Sequence, residues 1–229
     1  MSDAKPDPNV PELDAVTTDL EGTVEGTVDA EQHRERMKAL KEKQHAENRA
    51  RSEKRGIVIV NTGDGKGKST AAFGLILRHL GHEKRVAVVQ FIKGTWKTGE
   101  GRFFAEQPLI DHVVSGEGFT WNTQDRERDI AAARRGLDAA REMIERCRGE
   151  TPRYALIVLD EINIALRYGY LDAEEVAAML RDKPRELTIV ATGRDAPEAL
   201  IEVADTVTRM DAVKHAAEAG IRARVGVEF

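Results

Sequence analysis

The sequence predicts an α/β domain in which a parallel sheet carries helices on both faces, preceded by a separate helical arm. Three observations lead there. Short apolar runs alternate with helical patterns from Gly56 onward. One run, Ile57-Val58-Ile59-Val60, passes into a glycine- and lysine-rich turn and then a helix start, and another, Ala155-Leu156-Ile157-Val158-Leu159, delivers the acidic pair Asp160-Glu161. Apolar runs without polar alternation are the pattern of strands buried on both faces, and parallel strands need crossover helices between them. Such a sheet holds its ligand in a crevice at the C-terminal ends of the strands.

Taken in order, residues 1–30 carry eight acids against the single cation Lys5, with Pro6, Pro8 and Pro11 and no aromatic residue. This composition predicts a disordered acidic tail. The chain's net charge of −5 is therefore uneven, because the tail accounts for −7 and leaves the remainder near +2. From Glu31 to Arg55 nine lysines and arginines outnumber five glutamates among good helix formers. A helix this polar is not held by core burial alone, so it is either a loose arm or lies over a polar surface. The body, 56–229, holds predicted strands at 57–61, 86–91, 110–114, 154–160, 187–192 and 205–210. Predicted helices lie between them at 69–80, 124–147, 161–168, 172–181 and 197–203.

The turn after the first strand is Thr62-Gly63-Asp64-Gly65-Lys66-Gly67-Lys68-Ser69-Thr70. Strand, glycine-rich turn and helix N-terminus together make an anion cradle. The turn's N–H groups and the helix dipole face a phosphate, Lys68 adds a positive charge, and the Ser69 hydroxyl is a ligand for Mg2+. The usual spacing, G-x-x-x-x-G-K-[ST], would put the first glycine at Thr62, so Gly63 stands one place late. A shifted glycine predicts a loop that holds a triphosphate differently. The pair Asp160-Glu161 is the usual partner of such a loop, supplying a carboxylate to Mg2+ between the phosphates. Which of the two approaches the metal is left open by the sequence.

Further features fall at predicted strand ends. Gln90-Phe91-Ile92-Lys93-Gly94 closes the second strand, and Thr192-Gly193-Arg194 closes the fifth, with Arg194 either a phosphate contact or a cap of the sheet. Gly116-Glu117-Gly118-Phe119-Thr120-Trp121 puts two large aromatics on one glycine-flanked loop of a chain that is only 5% aromatic. On a crevice rim such a pair is a platform for a flat ligand; elsewhere it is a small satellite core.

Composition excludes several classes. The chain of 229 residues has no apolar stretch long enough to span a membrane and no signal-like segment after its N-terminus. One cysteine, Cys147, rules out a disulfide framework or a cysteine-rich zinc ribbon, and its register with Ile130, Leu137, Ala140 and Ile144 predicts a buried small hydrophobe. A cytoplasmic protein is expected. The weakly basic body argues against a nucleic-acid partner. Residue chemistry alone leaves open a small phosphate-loop kinase or ATPase.

The segments Thr62–Gly74, Val89–Gly94, Gly118–Trp121, Leu159–Glu161, Thr192–Arg194 and Val213-Lys214-His215-Ala216 occur in this order and together resemble the phosphate-loop type of ATP:cob(I)alamin (corrinoid) adenosyltransferase. The resemblance runs from the basic arm to the C-terminus. It implies a RecA-like phosphate-loop architecture and an enzyme, acting in adenosylcobalamin biosynthesis or salvage, that moves the 5′-deoxyadenosyl group of ATP to cobalt(I) and releases intact triphosphate. Catalytic roles would fall to Lys68 and Glu161. Nucleotide would be bound by Thr62, Gly63, Asp64, Gly65, Lys66, Gly67, Lys68, Ser69, Thr70 and Arg194, and Mg2+ by Ser69 with Asp160 or Glu161. By the same resemblance Phe119 and Trp121 lie against the corrinoid, a flavin-type reductase supplies electrons, and the arm covers the corrinoid site of the neighbouring subunit in a homodimer. Two departures stand out: Asp64 where the family often has Asn, and Asn61 where other members carry a ring. His215 is a family marker outside the expected site.

Overall fold

The computed structural model describes residues 30–51, 53–92, 98–116 and 125–227. The chain divides into two units, Met1–Lys54 and Arg55–Phe229. In the first, helix α1 spans Ala30–Ala50, and its exposed Met37 and Leu40 show that no apolar stripe organises it. Glu47 sits between Lys43 at 4.0 Å and Arg51 at 3.8 Å, ion pairs one turn away on either side. Each such pair supports a helix by only a few tenths of a kcal/mol.

The second unit is a six-stranded sheet. In chain order it holds β1 (Val58–Thr62), α2 (Lys68–Gly81), β2 (Val86–Gln90), α3 (Gly99–Glu106), β3 (Ile110–Val114), α4 (Arg126–Glu145), β4 (Leu156–Asp160), α5 (Ile162–Arg167), α6 (Ala173–Arg181), β5 (Thr188–Thr192), α7 (Glu198–Val203) and β6 (Thr206–Arg209). A 3-10 turn at Ala216–Ala219 follows. Strand order is β3-β2-β4-β5-β1-β6, and every pairing is parallel. This is the parallel sheet with helices on both faces expected from the alternation of elements.

The side-chain period of two divides each strand between two cores. Val58, Val60, Ala87, Val89, Ile157, Leu159, Ile189 and Ala191 pack with Leu137, Ala140 and Ile144 of α4, Ile162 of α5, Leu180 of α6 and Leu200 of α7. Val86, Val88, Leu156, Val158 and Val190 face the other way, onto Ala72 and Ile76 of α2 and Phe104 of α3. Strands β2 and β4 are buried along their whole length, as continuous apolar runs require. Strand β6 departs from that expectation: all four of its residues are exposed, because it closes the sheet edge with the alternating sequence Thr-Val-Thr-Arg. Cys147 is buried, donates its S–H to the Met143 carbonyl at 3.3 Å, and has its thiol pKa raised by burial.

Helix α3 was not expected from the sequence. Its two glycines depress helix propensity, and the fold supplies what propensity lacks. The Thr98 hydroxyl caps the helix by accepting from Gly101 N–H at 3.2 Å. Phe104 is buried at its far end, edge-on to the Phe73 ring with centroids 5.2 Å apart. Burying one Phe contributes about 2–3 kcal/mol, enough to offset the glycine cost.

Candidate functional site

The turn joining β1 to α2 lies at the C-terminal end of the sheet. Gly67, at φ +111°, is the N-cap of α2, and no side chain caps that terminus. The first-turn N–H groups are thus available to an anion, and the helix dipole adds to their attraction. Lys68 is the first helical residue. Its ammonium bridges the carbonyls of Gly63 at 2.7 Å and Gly65 at 2.5 Å, drawing the loop around itself. Burial lowers the Lys68 pKa and Arg194 and Lys66 add repulsion, while Glu161 and Asp64 oppose the shift.

The shifted glycine has a structural cause. Gly63 has φ +93°, and a Cβ there would lie 2.4 Å from the Met210 carbonyl oxygen. Gly65 is pressed against the same segment, with 2.7 Å from its would-be Cβ to the Asp211 oxygen, and its N–H donates to the Met210 carbonyl at 2.7 Å. The chain leaving β6 thus walls the loop from behind. Thr62, in the place of the usual first glycine, is still strand: Met210 N–H donates to its carbonyl at 2.9 Å, and its hydroxyl accepts from Ala196 N–H at 3.0 Å. Asn61 is buried, and its amide donates to the Lys68 carbonyl at 3.3 Å, bracing the start of α2.

A cavity of about 510 Å3 opens in front of this loop. Asp64, Gly65, Lys66, Gly67, Lys68, Ser69 and Thr70 line it, and Glu161 and Arg194 join them from the ends of β4 and β5. Thr62 and Gly63 stand behind the lining, holding the loop in place. Arg194 Nε lies 3.8 Å from Asp64 Oδ1, an exposed pair across the mouth. Phe73, Glu100 and His215 also line the cavity, and none of them was a predicted site residue. For His215 the available signal was the Val213-Lys214-His215-Ala216 motif; its ring Nδ1 accepts from Ala217 N–H at 3.1 Å, fixing the ring at the start of the 3-10 turn. Phe119 and Trp121 lie outside the described residues.

The acidic pair is divided by the fold. Asp160 is fully buried, with one oxygen accepting from Thr192 Oγ1 at 2.8 Å and the other from Gln90 Nε2 at 2.9 Å. Glu161 takes the left-handed conformation, φ +63°, which turns its side chain away from the sheet and into the cavity. Its Oε2 is buried at the wall, against the space that the missing side chain of Gly193 leaves. The Ser69 hydroxyl and the Glu161 carboxylate therefore share one cavity with Lys68. Hard oxygen donors beside a phosphate cradle fit a small divalent cation. Among the described lining residues the cations Lys66, Lys68 and Arg194 are matched by Asp64, Glu100 and Glu161. Net charge alone does not draw a bare polyanion here; a metal-bound one suits the balance.

Among the described residues no helix is long and apolar enough to cross a membrane. Residues 54–229 match the model of the family described as ATP:corrinoid adenosyltransferase BtuR/CobO/CobP. A protein of Pseudomonas aeruginosa named corrinoid adenosyltransferase is 48% identical over 203 residues, 87% of this chain and 96% of that one. One of Sinorhizobium sp with the same name is also 48% identical, over 91% of this chain and 99% of its own. The Escherichia coli K12 protein of that name is 42% identical over 87% and 98%. With the phosphate loop, the acidic pair and the cavity between them in place, and with relatives this similar along nearly their whole length, the chain belongs to the ATP:corrinoid adenosyltransferase family.

Proposed function

We propose that this protein transfers the 5′-deoxyadenosyl group of ATP to the cobalt(I) of a reduced corrinoid. The cobalt electron pair forms a bond to the ribose C5′, the C5′–O5′ bond breaks, and its electrons leave with the triphosphate. The corrinoid is itself the nucleophile, so the protein's task is positioning and leaving-group stabilisation. The observation that carries this reading is the cradle: the uncapped start of α2, Lys66, Lys68 and Arg194 surround one cavity with Ser69 and Glu161.

Lys68 and the loop N–H groups stabilise the charge that builds on the departing triphosphate, and Arg194 binds its outer end. Ser69 and Glu161 would hold Mg2+, which when bound neutralises part of the triphosphate charge. Asp160, whose two oxygens are already engaged, acts behind Glu161 and not on the metal. Asp64 adds a negative charge at the mouth and moderates ATP affinity. The glycine-flanked Phe119 and Trp121 support a further assignment, a platform against the corrinoid face that favours loss of the lower axial ligand. A flavin-type reductase would then deliver the electron. The basic composition of 31–55 supports a homodimer in which this arm covers the partner's corrinoid. The single buried Cys147 suits a cytoplasmic setting.

The test is an anaerobic reaction of the protein with chemically reduced cob(I)alamin, ATP and Mg2+. Adenosylated corrinoid with intact triphosphate is the expected product pair. ADP with an unchanged corrinoid spectrum would replace the proposal with phosphoryl transfer.

A further inference from the structure

Behind the cavity a hydrogen-bonded row of side chains crosses four strands. His112 of β3 meets Gln90 Oε1 through Nε2 at 2.9 Å. Gln90 of β2 donates Nε2–H to Asp160 Oδ2 at 2.9 Å. Thr192 of β5 donates its hydroxyl to Asp160 Oδ1 at 2.8 Å and accepts the Glu161 N–H at 2.9 Å. The strand period places all four side chains on the face that α2 and α3 cover, and Gln90, Asp160 and Thr192 are buried.

The row has a direction. Because Gln90 gives its N–H to Asp160, its Oε1 must accept, and the His112 nitrogen facing it must carry the proton. If the amide were reversed, a carbonyl oxygen would face a buried carboxylate. Asp160 therefore fixes which way the amide points, and the amide in turn fixes the tautomer of His112. At the other end Thr192 uses one hydroxyl twice, tying down Asp160 and satisfying the backbone N–H of Glu161. That second bond matters because Glu161 stands at φ +63°, a left-handed conformation that a non-glycine residue holds only where its surroundings support it. It is this conformation that aims the Glu161 carboxylate into the cavity. Neither Gln90, Thr192 nor His112 lines that cavity.

We propose that Gln90 and Thr192 are positioning residues for Glu161 toward the divalent cation on the triphosphate, with His112 bracing the Gln90 amide from outside the crevice. The inference rests on the reading that Glu161 faces Mg2+. Partners that orient a metal ligand are typically worth about 10–100-fold in metal affinity, without touching the other substrate.

The experiment uses the full chain and Mn2+ in place of Mg2+, with free Mn2+ read by electron paramagnetic resonance in the presence of ATP. Metal-free ATP affinity is measured separately. Thr192→Val keeps the shape and removes both bonds; Thr192→Ser keeps the hydroxyl; Gln90→Met keeps the length without the amide; His112→Phe keeps a ring without the donor. Thr192→Val and Gln90→Met are expected to weaken Mn2+ binding about tenfold or more, with metal-free ATP affinity changed less than about twofold. Thr192→Ser should stay within about threefold of the parent, and His112→Phe should fall between the two groups. Mn2+ affinity within about twofold of the parent in both Thr192→Val and Gln90→Met would overturn the proposal, as would an equal loss of metal-free ATP affinity. If the parent itself binds no Mn2+ with ATP, the metal assignment fails and this inference falls with it, an outcome visible before any variant is made.

Discussion

Gly63→Ala tests whether the displaced glycine of the phosphate loop is a structural necessity. Two costs can be worked from the structure. At φ +93° an alanine is outside the regions that L-residues favour, which costs about 1–3 kcal/mol. Its Cβ would also lie 2.4 Å from the Met210 carbonyl oxygen and 2.9 Å from the Met210 nitrogen, so the segment after β6 must retreat. Retreat breaks the Gly65 N–H to Met210 bond of 2.7 Å and weakens the Met210 N–H to Thr62 bond of 2.9 Å, a further loss of about 1–2 kcal/mol. Together these predict a loss of about 2–5 kcal/mol, or roughly 5–15 °C in Tm for a domain of this size. Where the loop shifts instead, part of the loss is transferred to ATP binding. Thermal unfolding followed by circular dichroism, with calorimetric ATP titration, measures both. The partner variant Thr62→Gly restores the usual spacing on paper and should not rescue Gly63→Ala, since Thr62 is strand and its hydroxyl serves Ala196. A Gly63→Ala protein with Tm within about 1 °C and ATP affinity within about twofold of the parent would refute this account of the loop.

Three further outcomes are expected. Phe119→Ala and Trp121→Ala should damage cobalt(II) reduction and turnover far more than ATP affinity, as read by corrinoid spectroscopy and nucleotide titration; equal loss of ATP affinity would count against the corrinoid platform. Phe104→Ala should cost about 3–5 kcal/mol in denaturant unfolding, because the ring is buried between Phe73 and His112 and holds the glycine-containing α3. Asp205 is paired with Arg55 through both carboxylate oxygens and accepts Val58 N–H at 2.8 Å; the Arg55 bonds first, and that N–H with them, hold its pKa below the usual range against the cost of burial. For an acid with a depressed pKa the stabilisation is full above the unfolded value of about 4 and disappears as pH falls through the lower folded value. Asp205→Asn should therefore cost about 1–2 kcal/mol near pH 6, discounted for the partly exposed Arg55, and the gap from the parent should close below about pH 4. A gap unchanged at acid pH would show that the charge is not what stabilises this contact.

The row of apolar segments in the sequence was enough to place every strand within a residue or two, and for β1, β2, β4 and β5 the reason is burial on both faces, which writes itself into consecutive Val, Ile and Leu. The phosphate loop was equally plain: strand, glycines, lysine and helix start are contiguous, so their chemistry is local. Helix α3 was hidden because its stability comes from Thr98 and from Phe104 meeting Phe73, while its own glycines speak against a helix. The exposed edge strand β6 reads as apolar-flanked in sequence, yet only its place beside β1 shows that, among the described residues, no strand pairs with its other side.

By itself, then, the sequence determined the class of fold, the anion cradle of Lys66, Lys68 and Ser69, and the presence of an acidic pair opposite it. These depend on residues close together in the chain, whose spacing is set by helix and strand geometry. The tertiary structure decided which acid faces the cavity, since only the left-handed turn at Glu161 and the Gln90 and Thr192 bonds on Asp160 separate two adjacent carboxylates. It also decided why the first glycine stands late, through the approach of Met210 and Asp211 from the far end of the chain. Such contacts join residues 32 and 70 positions apart at Asp160 and much of the domain's length apart at Gly63, and no local pattern of side chains encodes which distant group will arrive.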